Sequence, residues 1–389
     1  MSERALAGPA RRVIVLGSTG SIGVNTLRVL HHLNRLHPKR QAFEVVGLAA
    51  GGDLSTLREQ VATWGGASTA LARGADGDAT WTGPEASLRL VENVEADLVV
   101  AAIVGIAGLR PTFRAVELGR DVALANKECL VAAGELLMAA ARERGVRLTP
   151  VDSEHAAIAQ ALRGRHPDTI RRVLLTASGG AFRDVPPEQL AELEDATPDQ
   201  ALAHPTWDMG PKVTIDSATL MNKVLELIEA HHLFGVGSDR LGALLHPDSR
   251  VHGLIELRDG SVLLQLAEPD MQLPIQQALL PQELADTLPG LGPLVDWDRP
   301  QSLDFRPIDP DRYPAIRLAE PVIDGGGTRG VVLNAANEAA VAGFLCGRSR
   351  FGDIVHRVSE TLYGYRHGSL ESVDHALAVH REVVESMKH

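Results

Sequence analysis

The stretch "RVIVLGSTGSIG", Arg12 to Gly23, constrains this chain more than any other. A β-branched apolar run ends at Gly17. Two further glycines follow at three-residue spacing, and helical spacing of apolar residues runs from Ser21 to about Leu36. A short apolar run bounded by glycine reads as a buried strand, and the periodicity after it as a helix. The same beat returns downstream. "FEVVGLAA" is a strand and "DLSTLREQVATWG" a helix; "ADLVVAAI" and "DVALA" are short strands; helix-like "LVAAGELLMAAARERG" leads into strand-like "VRLTPV". Such alternation predicts a parallel doubly wound sheet of Rossmann type, with ligands gathered outside the strand C-terminal ends.

The glycine loop lies at such an end. Glycines allow a tight turn and let backbone N–H groups approach a pyrophosphate, and the following helix N-terminus adds partial positive charge. The spacing is GxxGxxG rather than GxGxxG, so the strand before and the helix after carry much of the dinucleotide reading. Sites for NAD commonly place an acid on the ribose at the end of the second strand. Here that strand ends "AAGGD", small and uncharged until Asp53. This leaves room for a 2′-phosphate and leans towards NADPH, without an evident cation to hold it.

From about residue 151 the rhythm loosens. "RRVLLTASGGAF" is a strand entering a glycine turn, and "HPTWDMGP" is a loop bounded by Pro and Gly. "SATLMNKVLELIEAHHLFG" reads as one amphipathic helix ended by Gly235, with His231 and His232 placed to favour its dipole. "RVHGLIELRDGSVLLQLAE" is a hairpin about Asp259-Gly260. The resulting division is a nucleotide-binding domain at 1–150, a central α/β (α+β) catalytic domain at 151–280, a linker at 281–310 rich in Pro, Gly and Asp, and a C-terminal helical bundle at 311–389.

Net charge is −12, which argues against nucleic acid as a partner, since that needs clustered positive charge. The longest quiet apolar stretch, "LVVAAIVGIAGL", is too short and glycine-broken to span a membrane. Two cysteines without a motif fit a reducing compartment, and the polar start "MSERALAGPARR" is a poor signal peptide, so a cytoplasmic location is expected.

Three polar clusters stand out. "TPVDSEH" places Asp152 and Glu154 around Ser153. On an extended strand the two acids face one way, and oxygen ligands suit Mg²⁺ or Mn²⁺. The same letters before "HAAIAQAL" also make a helix cap. In the second cluster Asn222, Lys223 and Glu226 share a helix face, with Ser217 upstream: either a surface ion pair or a mixed phosphate and metal surface. In the third, "ANKE" follows a short strand, so Lys127 can bridge cofactor and substrate with Glu128 as its partner. "TASGG" offers an anion-binding turn, and the "HPTWDMG" loop a water-excluding lid.

Taken in order, "GSTGSIG", "AAIVGIAGL", "ANKE", "DSEH", "SGG", "HPTWDMG", "SATLMNKVLELIEA", "DGSVLLQLAEPDMQLPIQ" and "LNAANEAAVAGFL" resemble the 1-deoxy-D-xylulose 5-phosphate reductoisomerase family over nearly the whole chain. The resemblance implies that Asp152, Glu154 and Glu226 bind one divalent cation, Mg²⁺, Mn²⁺ or Co²⁺. It implies that Lys127 and Ser153 touch substrate near its metal-bound oxygens, and that Ser178, Ser217, Asn222 and Lys223 hold the phosphate. His204 would lie in a flap near 202–211, with Trp207 and Met209 packing on substrate and nicotinamide. Thr19, Gly20, Ser21 and Ile22 would line the NADPH phosphates; Ala102, Asn126 and Glu128 would lie near ribose and nicotinamide, with Gly51, Gly52, Asp53 and Gly210 completing the cofactor set. The implied reaction converts a phosphorylated ketose to 2-C-methyl-D-erythritol 4-phosphate in isoprenoid precursor synthesis, in a homodimer.

Members often carry a basic residue and Asn where this chain has Gly52-Asp53; Ala181 replaces a common proline, and Gln272 a frequent Arg. Two other readings remain: an NADP-dependent semialdehyde or hydroxy-acid dehydrogenase without isomerisation, which lacks an evident nucleophile or base motif, and a nucleotide sensor, which leaves "DSEH" idle.

Overall fold

The computed structural model describes residues 9–36, 41–75, 77–207 and 209–388; most of the N-terminal stretch weighed as a signal peptide lies outside them. The first elements keep the expected alternation: Arg11–Leu16 (β1), Ser21–Arg35 (α1), Phe43–Ala50 (β2), Leu54–Trp64 (α2), Ser68–Leu71 (β3), Trp81–Thr82 (β4), Ala86–Asn93 (α3), Leu98–Ala101 (β5), Leu109–Glu117 (α4), Asp121–Leu124 (β6), Lys127–Arg144 (α5) and Leu148–Pro150 (β7). The seven strands form one sheet in the order β4-β3-β2-β1-β5-β6-β7, with every pairing parallel. Val13–Leu16 and Leu98–Ala101 are buried, as apolar runs covered on both faces must be. Strand order reverses at β1, which has β2 on one side and β5 on the other. The crevice outside the C-terminal ends of β1 and β5 is therefore the ligand position of this sheet.

The second part begins with Ser153–Leu162 (α6) and continues through Ile170–Ala177 (β8), Pro198–Ala201 (α7), Pro211–Ala218 (α8), Met221–Phe234 (α9), Leu241–Leu245 (β9), Val251–Leu257 (β10) and Val262–Leu266 (β11). Gln272–Leu279 (α10), Gln282–Ala285 (α11) and Arg306–Pro307 (β12) precede four helices: Ala319–Gly325 (α12), Arg329–Leu345 (α13), Asp353–Gly364 (α14) and Val373–Ser386 (α15). Five strands make a mixed sheet, β11-β10-β8-β9-β12, in which only β8 and β9 are parallel. The hairpin stands as read: Gly260 adopts φ +89°, and the Asp259 carboxylate accepts from the Ser261 N–H at 2.9 Å and its hydroxyl at 2.6 Å. Helix α13 is apolar on nearly every face and is the core of the C-terminal bundle, packed by α14 and α15.

Two compact units result. One comprises 1–129, 137–156 and 270–293; the other 130–136, 157–269 and 294–389. This cuts the chain differently from the sequence division. Helix α10, expected with the central domain, packs on α1 of the first unit. The stretch read as linker holds helix α11 and strand β12, the latter paired antiparallel to β9. A second correction concerns the segment read as one long helix. It is two, α8 and α9, separated at Thr219-Leu220, where Leu220 takes the left-handed φ of +58°. That conformation costs a non-glycine residue about 1–2 kcal/mol. It is held by burial of the Leu220 side chain with Ala177, Leu245 and Tyr313. No periodicity argument reveals such a break, because the residue responsible is a good helix former.

Candidate active site

In the first unit, the glycine loop leaves β1 at the switch point. Gly17 has φ +81°, and a Cβ there would lie 2.4 Å from the Ala102 carbonyl oxygen that follows β5. A Cβ on Gly23 would lie 2.2 Å from the Gly17 carbonyl oxygen, so the first turn of α1 sits directly on the loop. The Gly17 and Ser18 N–H groups are tied to the Ala49 carbonyl at 2.9 and 2.8 Å. Gly20 and Ser21, at the loop tip and the start of α1, are exposed, Thr19 and Ile22 half-buried. No side chain caps α1 and no acid lies in its first turn, so the helix supplies no anion of its own to compete for its N-terminus.

Asp53 has a structural task. It caps α2, accepting from the Thr56 N–H at 3.1 Å, and the hydrogen bond from the Thr56 side chain, then that from its backbone, lowers its pKa. Asn126 is also a cap, for α5: its Oδ1 accepts from the Cys129 N–H at 3.2 Å, while its amide donates to the carbonyls of Gly105, at 2.9 Å, and Ile103. A Cβ on Gly108 would meet that amide nitrogen at 2.3 Å. Asn126 therefore locks the loop after β5, and Ala102 with it, to the end of β6.

Lys127, in the first turn of α5, has an ion partner that its spacing did not suggest. Its Nζ lies 2.6 Å from Asp152 Oδ2, across the neighbouring ends of β6 and β7. Glu128 is buried. Of the two readings for Asp152 and Glu154, extended strand or helix start, the structure has the helix start. The Asp152 carbonyl accepts the first helical bond, from the Ala156 N–H at 2.9 Å, and Ser153 and Glu154 form the first turn of α6. Asp152 thus occupies the cap position, yet its carboxylate faces Lys127 and, at 3.1 Å, His155 Nδ1. Burial alone would raise its pKa; the Lys127 charge and then the His155 hydrogen bond outweigh this and hold the group well below the usual carboxylate range. The Ser153 hydroxyl donates to Glu154. His155 is fully buried and orients Asp152, a structural role.

The second unit collects the other predicted groups. Strand β8 delivers Ser178 into a turn where Gly179 and Gly180 have φ +87° and +68°. A Cβ on Gly180 would lie 2.6 Å from the Ser217 carbonyl oxygen, so this turn rests on the end of α8. Ser178 Oγ lies 2.9 Å from His204 Nε2. His204 Nδ1 accepts from the backbone N–H of Thr206 and Trp207 at 3.1 and 2.9 Å, which puts the ring proton on Nε2 and makes Ser178 its acceptor. Burial, then the Arg183 charge, lowers the His204 pKa to about 4, so the imidazole is neutral. The predicted flap is the loop between α7 and α8, folded around this ring; Trp207 is tilted towards the His252 ring at 6.3 Å, and the Met209 carbonyl accepts from the Thr214 hydroxyl at 3.4 Å.

On α9, Asn222 and Lys223 both donate to Glu226, one to each carboxylate oxygen. Lys223 and Glu226 are 2% and 1% exposed, which overturns the surface-pair reading. His232 is corrected as well: burial, then the His231 charge, lowers it to about 4, so it brings no charge to the helix dipole.

Two supports were not among the predicted site residues. The Tyr313 hydroxyl donates to the Gly179 carbonyl at 3.0 Å, fixing the glycine turn. Asp216, just before Ser217, is gripped by Lys212 at 2.9 Å and by the Asn337 amide at 2.8 Å. Asn337 sits fully buried in the alanine-rich "LNAANEAAVAGFL", and an amide among such small apolar residues is the available signal for a buried partner.

The parallel sheet and the glycine loop at its switch point define a dinucleotide-dependent enzyme of Rossmann type. Comparison narrows this. Residues 13–134 match the family model for 1-deoxy-D-xylulose 5-phosphate reductoisomerase, residues 148–234 its C-terminal domain, and residues 266–386 the DXP reductoisomerase C-terminal domain. Among curated relatives, the reductoisomerase of Mycobacterium avium is 49% identical over 358 residues, covering 90% of this chain and 84% of that protein. That of Mycobacterium tuberculosis is 46% identical over 378 residues, covering 95% and 88%. The Zymomonas mobilis enzyme solved with NADPH superposes with TM-score 0.85 at 37% identity, covering 97% and 98% of the two chains. A DOX-P reductoisomerase solved with NADPH, fosmidomycin and magnesium gives TM-score 0.86 at 33% identity, covering 97% of each. The chain belongs to the 1-deoxy-D-xylulose 5-phosphate reductoisomerase family. Neither the plain dehydrogenase nor the sensor reading is favoured.

Proposed function

We infer that this protein catalyses the isomerising reduction of 1-deoxy-D-xylulose 5-phosphate to 2-C-methyl-D-erythritol 4-phosphate, using NADPH and one divalent cation. The observation that carries the reading is similarity along almost the entire chain to reductoisomerases, including one solved with NADPH and another with NADPH, fosmidomycin and magnesium. The residues fit both groups. The cradle at Gly17 and Gly23 has no space for side chains and presents an uncapped helix N-terminus, which suits a pyrophosphate. The proposed metal ligands, Asp152, Glu154 and Glu226, are oxygen donors, and Asp152 is kept ionised by its neighbours. When bound, the cation supplies Lewis acidity towards substrate oxygens, and NADPH supplies the hydride.

The chain's own groups divide the remaining work. Lys127 fixes Asp152 and presents an ammonium to substrate oxygens beside Ser153. Ser178, Ser217, Asn222 and Lys223 are proposed to hold the substrate phosphate, which is remote from the reacting carbons and so supplies orientation and binding energy. Neutral His204 positions the Ser178 hydroxyl and, through its ring acceptor, the loop bearing Trp207 and Met209. That loop is proposed as the flap that excludes water, Met209 and Gly210 lying towards the nicotinamide. Thr19, Gly20, Ser21 and Ile22 are proposed for the cofactor phosphates, Gly51 to Asp53 for the adenosine end, and Ala102, Asn126 and Glu128 for the nicotinamide ribose.

A homodimer and a cytoplasmic location complete the proposal; among the described residues no helix is long and apolar enough to cross a membrane. The direct test mixes protein, NADPH, Mn²⁺ and 1-deoxy-D-xylulose 5-phosphate, follows loss of nicotinamide absorbance and identifies the product by mass. Consumption of NADPH without the branched polyol phosphate would refute isomerisation.

A further inference from the structure

We propose that Arg73 recognises the 2′-phosphate of the cofactor and so sets the preference for NADPH over NADH. The inference rests on the function proposed above and adds a residue to it.

The end of β2 poses the problem. Gly51 and Gly52 carry no side chain, and the Asp53 carboxylate is taken by the Thr56 N–H at the start of α2. Nothing within that segment offers a cation. The neighbouring strand does. β2 and β3 run parallel, with Ala50 opposite Leu71. The pairing continues past the strand ends: the Ala72 N–H donates to the Ala50 carbonyl at 3.0 Å, and the Arg73 N–H to the Gly51 carbonyl at 2.7 Å. Arg73 is thereby fixed beside Gly51, outside the C-terminal ends of both strands, where the adenosine end of a dinucleotide lies in this fold.

Its side chain lies over the two glycines. A Cβ built on Gly52 would be 3.2 Å from Arg73 Nε, and one on Gly51 would be 3.6 Å from a terminal guanidinium nitrogen. The glycines leave the space that the guanidinium occupies. Arg73 is exposed, and its guanidinium has no hydrogen-bond or ion-pair partner among the described residues. Most arginines of this unit are engaged otherwise: Arg11 with Asp121, Arg12 with Glu95 and Asp97, Arg58 with Asp78, Arg114 with Glu92 and Glu117. A planar fork of donors, held at the end of the second strand and left unpaired there, matches a phosphate monoester. The missing cation thus comes from the next strand rather than from the β2 turn.

The experiment measures binding directly, without substrate or turnover. Dissociation constants for NADPH and NADH are determined by nicotinamide fluorescence for the wild type, Arg73→Ala and Arg73→Lys. Adenosine 2′,5′-bisphosphate and 5′-ADP serve as competing probes. Arg73→Ala should raise the NADPH constant at least about tenfold, equivalent to about 1.4 kcal/mol, and leave the NADH constant within about twofold. Competition by the 2′,5′-bisphosphate should weaken while that by 5′-ADP stays constant, and Arg73→Lys should fall between. Because the group is exposed, the wild-type preference should shrink as salt rises. Equal changes for both nucleotides, or none, would overturn the assignment of Arg73. A wild type that binds neither nucleotide would instead sink the functional reading beneath it.

Discussion

Gly180→Ala tests whether the phosphate-side turn is built as described. Two costs add at this position. The φ of +68° penalises any L-residue by about 1–2 kcal/mol. The new Cβ would also lie 2.6 Å from the Ser217 carbonyl oxygen and 2.7 Å from Ala218 Cα, backbone atoms that cannot rotate away. Forcing a methyl into such a contact costs about 1–3 kcal/mol more. Gly235→Ala is the matched control: φ is +63°, almost the same, but nothing lies within 4 Å of the added Cβ. It should lose only the conformational part. Denaturant midpoints compared across wild type and both variants therefore isolate the contact. Substrate kinetics supply the second readout, because displacing Ser217 against Ser178 should raise KM for the phosphorylated substrate in Gly180→Ala alone. If Gly180→Ala proves no less stable than Gly235→Ala, the close approach of turn and helix is refuted.

Three further outcomes are expected. Glu226→Gln should lose metal-dependent turnover and also some stability, because buried Lys223 loses its counter-charge; outer-shell groups already cost about 10–100-fold in metal affinity, so a ligand should cost no less, and full activity at ordinary Mg²⁺ would remove Glu226 from the site. Chelation should abolish turnover while fluorescence still reports NADPH binding, and turnover that survives in chelator would refute the metal requirement. For His204 the ring should stay neutral by NMR titration down to about pH 4. Because its folded pKa lies below the usual 6.5, the unfolded chain binds the extra proton between these values; the contribution to stability is complete above about pH 6.5 and is lost as pH falls towards 4. His204→Ala should weaken substrate binding more than cofactor binding, and unchanged KM and kcat would sink the flap assignment.

What the sequence determined by itself was local geometry. Glycine spacing after a β-branched run specifies a strand, a tight turn and a helix N-terminus, because each follows from φ/ψ limits and the 3.6-residue period. The shared face of Asn222, Lys223 and Glu226 was legible for the same reason, as was the Asp259-Gly260 hairpin. Where two local structures suit the same letters, sequence alone left the choice open: Asp152 and Glu154 are equally good on a strand or at a helix start, and the structure has the helix start. The break at Leu220 was hidden because its cause is a cluster assembled from Ala177, Leu245 and Tyr313, far apart in the chain. Only tertiary structure could pair Lys127 with Asp152, Asn337 with Asp216, or Arg73 with the glycines ending β2. Each depends on strand register or helix packing, which bring together side chains that no spacing rule connects. Burial then decided what these groups are: the same Lys223–Glu226 spacing is a minor surface contact in water and a desolvated, oriented pair where the helix is covered.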